Sequence, residues 1–194
     1  EPSVFFRSPS LSDPVWLDRI ADRMRDNGRA FAAERPLFYN LGDETGIADL
    51  AAAWDFDRAP ESLAAMRVWL RQQYPSLAAL NRQWGSAFDD WGDVTPPTTT
   101  AALARTDGNE AAWTDFRGFM DDAFAHALRV GTDGLHAGDP AGLAGIEGTQ
   151  APGPGGYDYI RLAGAVDLME MYGAGDSTDI ARSFNPNLVM LTTG

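Results

Sequence analysis

Apolar positions recur along this chain with two different periods, and the switches between them mark its elements. Starting at Ser12-Asp13-Pro14, the residues Trp16, Leu17, Ile20, Met24 and Phe31 return at spacings near four, with charges between them. That is the stripe of an amphipathic helix. Ser12 or Asp13 caps it, Pro14 fits its first turn, and it runs to about Arg35, weakened near its end by Asn27-Gly28. The period then falls to two. Over residues 37–44, Phe38, Asn40, Gly42 and Glu44 share one face of a strand, and Leu37, Tyr39 and Leu41 share the other. A loop with Trp54 and Phe56 leads to Pro60-Glu61-Ser62, which opens a helix carrying Leu63, Met66, Trp69, Leu70 and Tyr74. A short helix with Leu77, Leu80 and Trp84 follows and ends on Gly85. Residues 86–105 read as a loop, with Pro96-Pro97 followed by three Thr. The longest stripe, Trp113, Phe116, Met120, Phe124, Ala127, Gly131 and Leu135, starts at Asn109 and stops at Gly138-Asp139-Pro140.

The last third alternates strand and helix quickly. Strands are expected near 143–149, 166–172 and 188–192, with helices over 157–164 and near 176–183 and a Gly/Pro loop over 150–156. Strands separated by helices predict an α/β fold with a parallel sheet, and right-handed crossovers put every strand C-terminus on one edge. Four such strands fit a small doubly wound sheet or half of a (β/α)8 barrel. Polar residues on inward strand faces favour the barrel, because an open sheet covered on both faces is apolar throughout. The whole chain, 1–194, reads as a single partial barrel domain with a long helical insertion.

Composition removes more chemistry than it adds. All 15 basic residues are Arg, and the chain has no Lys and no Cys. That excludes a Walker lysine, a Schiff-base lysine, a thiolate nucleophile, a Cys-ligated zinc and any disulfide. His126 and His136 are the only histidines, and no Gly-x-Ser-x-Gly elbow accompanies them. A net charge of −13 disfavours nucleic acid and anionic membranes as partners. No apolar run reaches the length of a membrane span. Ten Phe and six Trp supply a core. Glu1 is not a natural start, so a preceding segment is expected. The polar chemistry left is that of carboxylates, amides, Tyr, Trp and Arg.

Three strand-borne acids, Glu44, Glu147 and Glu170, stand among apolar neighbours. A buried unpaired carboxylate is costly, so each has a partner or a task. For Glu147 and Glu170 a structural ion pair with Arg161 or Arg182 competes with a functional role. Gly42-Asp43-Glu44-Thr45-Gly46 could be an ordinary surface turn, but Glu44 ends a strand, follows a Gly and lies near Asn40. Two carboxylates flanking a glycosidic bond are the usual equipment for its hydrolysis, and Trp and Tyr offer faces to sugar rings.

Tyr39-Asn-Leu-Gly-Asp-Glu44 resembles the fourth strand of clan A glycoside hydrolases, especially the family 42 β-galactosidases, in which an acid/base Glu ends that strand. The segment from Leu63 to Phe88, with its Leu-Asn-x-x-Trp-Gly-x-x-Phe signature, looks like that family's helix region. Gly145 to Gln150 with Gly156 to Leu162 is similar to strand five and its helix, and Asp167 to Tyr172 to strand six. The resemblance implies strands four to seven of a (β/α)8 barrel, a fold of about 250 residues. It implies retaining hydrolysis of a β-galactoside-like oligosaccharide, with Glu44 as general acid/base and Asn40, Asp43, Glu147, Gln150, Glu170 and Tyr172 contacting substrate. No cofactor and no metal are expected. The chain departs from the family in three ways: Asp43 stands where Asn is usual, residues 54–60 lack the family's cysteine cluster, and the strand over 188–192 carries no nucleophile Glu. The nucleophile is therefore expected outside this chain. The other readings are a non-catalytic carbohydrate-binding barrel module lacking that residue, and an acidic α/β domain with no sugar site. As partners the sequence suggests a carbohydrate and a homo-oligomer through the open barrel. Glu44, Gln150 and Tyr172 should share one rim, with Asn40, Glu147 and Glu170 on the concave side and Tyr39, Ile146 and Met169 under the helices. Glu147 should share its face with Gly145 and Thr149 and hold Gln150 or a sugar hydroxyl.

Overall fold

A computed structural model of the chain describes residues 7–47, 57–150, 152, 157–172 and 176–193. In chain order the elements are α1 (Pro14–Phe31), β1 (Tyr39–Asp43), α2 (Pro60–Gln73), α3 (Leu77–Trp84), α4 (Thr99–Leu103), α5 (Ala111–Gly138), β2 (Ala144–Thr149), α6 (Tyr159–Leu162), β3 (Leu168–Tyr172), α7 (Asp176–Phe184) and β4 (Val189–Thr193). Every expected strand is present. The loop expected over 86–105 holds more order than its composition suggests, a 3-10 turn at Trp91–Asp93 and helix α4. Both are too short to show a period. They are held by caps: Asp90 accepts from the Gly92 N–H and Thr98 from the Ala101 N–H. The helix expected over 157–164 contracts to four residues because Asp158 caps the Ile160 and Arg161 N–H groups, leaving Tyr157 outside. Trp54 and Phe56, and most of the Gly/Pro loop, lie outside the described residues.

The chain gathers into two compact units. One comprises residues 14–47 and 121–194. Its four strands are all parallel and lie in the order β1-β2-β3-β4. Sequential order is that of a barrel wall, whereas a doubly wound sheet reverses direction at a switch point. Parallel pairing puts all four C-terminal ends on one edge. Beneath the sheet, Met24, Tyr39, Leu135 and Ala144 form a core cluster with Ile20 and Leu41 packed on it. Ile146 and Met169 are wholly buried. The Tyr39 hydroxyl donates to Asp139 Oδ2 at 2.9 Å, so its polar end is satisfied within that core. Asp167 Oδ2 takes both the Ala144 N–H, at 2.9 Å, and His136 Nε2, at 2.9 Å, tying the end of α5 to the starts of β2 and β3.

Glycines let α1 and α5 touch backbone to backbone. A Cβ on Gly134 would sit 2.5 Å from the Ala21 carbonyl oxygen, and one on Gly138 would sit 2.0 Å from that of Arg25. These contacts fix the height of α5 under β1 and β2.

The other unit comprises residues 1–13 and 48–120, and it explains the Leu-Asn-x-x-Trp-Gly-x-x-Phe signature in physical terms. Leu80 and Trp84 are buried. Gly85 caps α3 in the left-handed region, at φ 64°. The Asn81 side chain then grips the following turn, donating to the Phe88 carbonyl and accepting from the Ser86 hydroxyl and the Phe88 N–H. Phe88 meets Trp84 edge to face, with ring centroids 6.3 Å apart. Asp115 on α5 accepts from Trp84 Nε1 at 2.7 Å and from the Tyr74 hydroxyl at 2.5 Å. Buried Asp57 accepts from the Ser10 hydroxyl and from the Arg7 and Ala59 N–H groups.

Two outcomes follow for stability. Gly118 and Gly134 both lie inside α5, but a Cβ on Gly118 would meet only Trp69, at 3.9 Å. Gly118→Ala should therefore stabilise by about 0.5–1 kcal/mol through helix propensity. Gly134→Ala should destabilise by about 1–3 kcal/mol, because backbone cannot yield to the new methyl. Denaturant melts of the two variants measure this, and a stabilising Gly134→Ala would contradict the close packing. Burial, followed by the hydrogen bond to Asp115, pushes the Tyr74 phenol up to about 12 from its ordinary 10.0. A raised folded value means the stability it lends is complete below pH 10 and is lost as pH climbs towards about 12. In Asp115→Asn, phenolate absorbance should show Tyr74 ionising at lower pH than in the unaltered protein.

Candidate active site

β1 ends at Asp43, and the chain turns sharply at Glu44, whose φ of 46° lies in the left-handed region. For a residue other than Gly that position costs about 1–3 kcal/mol and persists only where surroundings enforce it. Three contacts enforce it here. Gly42 packs under Thr45 so tightly that a Cβ would lie 2.0 Å from Thr45 Cγ2. The Glu44 N–H donates to the Glu147 carbonyl of β2 at 3.0 Å. Gly148, at φ 61°, leaves the space that Glu44 fills; a Cβ there would sit 2.7 Å from Glu44 Cγ and 3.0 Å from Glu44 N.

The register of the sheet changes at this same level. Asn40 pairs with Gly145, but Asp43 pairs with Glu147, so β1 carries an extra residue. Ile146 pairs with Met169, but Thr149 pairs with Met171, so β2 carries one too. A bulge of this kind bends the strand and re-aims the side chains beyond it. Below the slips, strict alternation holds. Asn40 lies opposite Gly145, and Gly145 opposite Leu168, in the inward row, while Tyr39, Ala144, Ile146 and Met169 face the helices.

Side chains then link the strand ends. The Tyr172 hydroxyl donates to Glu44 Oε1 at 2.6 Å, reaching from β3 over the end of β2 to β1. Asn40 Nδ2 donates to Glu147 Oε2 at 2.6 Å, and Asn40 Oδ1 accepts from the Gly42 N–H at 2.8 Å. Glu170 Oε2 accepts from the Gly148 N–H at 2.7 Å. Glu44 and Asp43 are exposed, Glu147 is half-buried and Glu170 is buried. The Glu44 carboxylate, by accepting its hydrogen bond, is the main cause that holds the Tyr172 proton up to about 12. Burial pushes the neighbouring Tyr157 phenol up to about 12, and the Glu44 charge adds to that push.

The expected site residues therefore assemble along one sheet edge, with some partners differing from those expected. Glu44 meets Tyr172 directly. Glu147 holds Asn40 and not Gln150, whose carbonyl takes the Tyr159 hydroxyl at 2.5 Å. Arg161 is occupied by Asp122, at 2.5 Å, and by Asp158. Thr149, expected beside Glu147 on the inner face, pairs with Met171 in the outward row, because the β2 slip reverses the alternation. The sequence pattern does not single out Gly148, Tyr157 or Tyr159 as site residues. For Gly148 a signal existed, since a Gly inside a strand marks a bulge or a close approach. For the two tyrosines none did, because a helical stripe explained them equally well. An exposed carboxylate on a strand end, held by a phenol donor and a fixed backbone turn, is equipped to give and take a proton beside a bound ligand.

No curated protein matches the chain in sequence. Solved structures do match in fold. A cold-adapted beta-galactosidase from Rahnella sp. R3 superposes with a TM-score of 0.69 at 20% identity, over 94% of this chain and 29% of that one. An exo-carrageenase of family 42 from Bacteroides ovatus superposes at 0.69 and 16% identity, over 93% and 29%. A polyextremophilic beta-galactosidase from the Antarctic haloarchaeon Halorubrum lacusprofundi superposes at 0.66 and 15%, over 85% and 24%. The chain thus spans under a third of the length of each, and its four parallel strands are part of a TIM barrel. The family profile described as beta-galactosidase, glycoside hydrolase family 42, matches residues 39–175, more than half of the chain. The chain belongs to glycoside hydrolase family 42.

Proposed function

We propose that these residues form part of the active site of a retaining glycoside hydrolase acting on β-galactoside-like oligosaccharides, with Glu44 as general acid/base. The observation that carries the reading is the presentation of Glu44: an exposed carboxylate at the C-terminal end of a parallel strand, in a strained turn, with the Tyr172 hydroxyl 2.6 Å away. Active sites of this fold lie at that edge. In the first step the Glu44 carboxyl gives its proton to the leaving glycosidic oxygen while a second carboxylate attacks the anomeric carbon. In the second step Glu44 takes a proton from the water that releases the sugar. The second carboxylate belongs about 5–5.5 Å away, on barrel strands other than the four described. Asn40, Asp43, Gln150 and Tyr172 line the rim around Glu44 and contact the sugar, while Glu147 fixes the Asn40 amide.

In the whole protein that carries these residues, Glu44→Gln should lower turnover of alkyl galactosides by about 10²–10⁴-fold. It should spare activated aryl galactosides in the first step, since their leaving oxygen needs no proton. Equal loss of kcat/KM, which reports the first step, across leaving groups would remove Glu44 from the acid role. Sugar binding without turnover in the unaltered protein would favour a carbohydrate-binding module. The same variant tests the Tyr172 contact. With the charged acceptor gone, phenolate absorbance should show Tyr172 ionising below its value of about 12, and an unchanged titration would mean that the two groups do not meet in solution.

A further inference from the structure

Glu170 is the most withdrawn of the site carboxylates. It is only 7% exposed and sits between Met169 and Met171, both wholly buried. A carboxylate placed so deep needs donors of its own, and one of them is the Gly148 N–H at 2.7 Å. That amide belongs to the bulge of β2. Glu147 and Gly148 together lie opposite Glu170, between the Ile146–Met169 and Thr149–Met171 pairs. A bulge takes an amide out of the regular ladder, and a buried amide outside the ladder requires another acceptor. A charged acceptor holds it more firmly than a neutral one. Gly148 also leaves the space that Glu44 occupies, since a Cβ there would meet Glu44 Cγ at 2.7 Å and Glu44 N at 3.0 Å, and the Glu44 N–H is bound to the carbonyl just before it. A chain of contacts thus runs from the Glu170 carboxylate through the Gly148 amide to the perch of Glu44.

We propose that Glu170 is a positioning residue for Glu44, clamping the β2 bulge through the Gly148 amide without touching substrate. The proposal rests on the acid/base reading of Glu44, and it changes the role that the sequence suggested for Glu170, contact with the sugar. Glu170→Gln retains an oxygen that can accept from Gly148, whereas Glu170→Leu retains none. The test measures kcat and KM on alkyl and activated aryl galactosides in the whole protein, together with hydrogen exchange at the Gly148 amide. For Glu170→Leu we expect kcat on the alkyl substrate to fall by about 10²-fold, the loss typical of a misplaced catalytic group. KM for the alkyl substrate should hold, kcat/KM for the aryl substrate, which reports only the first step, should be spared, and the Gly148 amide should exchange faster. Glu170→Gln should restore all four readouts to within a few-fold of the unaltered protein. A rise in KM for both substrates, in either variant, would overturn the proposal and make Glu170 a substrate ligand. Unchanged exchange at Gly148 in Glu170→Leu would overturn it as well. Should Glu170→Leu fail to fold, Glu170→Gln alone decides, because a sugar-binding carboxylate would lose affinity on amidation and a holder of the amide would not. If Glu44→Gln shows no leaving-group dependence, the acid/base reading falls by itself, and exchange at Gly148 still reports whether Glu170 holds the bulge.

Discussion

The paired register slip at the ends of β1 and β2 is the constraint on which the rest of the site depends. Two neighbouring parallel strands each take in one extra residue at the same level. The surplus on β2 is absorbed at Gly148, which alone can adopt its turn and admit Glu44 against it. The surplus on β1 leads directly into the left-handed turn at Glu44. Without the slips, alternation would carry Glu44 onward as one more strand residue. With them, its backbone is tied to β2 and its carboxylate is free to meet Tyr172 from β3.

A perch of this kind is only as firm as the strands beneath it. Those strands rest on α1 and α5, whose backbones touch at Gly134 and Gly138. The polar ties from Tyr39 to Asp139, and from Asp167 to His136 and Ala144, sit at the opposite end of the sheet from Glu44. This separation suits a barrel, in which one face serves stability and the other chemistry. The second unit follows the same logic with other groups: Asn81, Gly85, Trp84 and Asp115 fix one helix, one turn and one aromatic pair. Its signature residues are buried or hydrogen-bonded to one another, so the fold of this unit depends on them.

Chemistry on the rim is a matter of unequal exposure among like groups. Glu44, Glu147 and Glu170 are the same residue type on three positions of one sheet edge. Glu44 is open to solvent, Glu147 is half-buried against Asn40, and Glu170 is sealed under the bulge. An open carboxylate can exchange protons with a ligand, a half-buried one can fix an amide, and a sealed one can only hold structure. The tyrosines show the same gradation, since Tyr172 reaches Glu44 while Tyr157 is buried beside it.

By itself the sequence determined the elements and their order, apart from α4 and the 3-10 turn at Trp91–Asp93, which are too short to show a period. The near-four spacing of Trp16, Ile20 and Met24, the two-residue period of Tyr39 to Leu41, and stop signals such as Gly85 and Gly138-Asp139-Pro140 are local, and local propensity needs no tertiary information. It also determined which way Tyr39, Asn40, Ile146 and Met169 point, because a strand's faces are fixed by parity. Parity failed three residues beyond Ile146, at Thr149, since a bulge is settled between strands and a single strand's pattern carries no record of its partner's slip. The exchange of Gln150 for Asn40 as the partner of Glu147, and the meeting of Glu44 with Tyr172 over the end of β2, were likewise decided only in the fold. Those groups come from strands 107 and 128 residues apart, and the choice of partner turned on distances of a few ångströms that no spacing along the chain encodes.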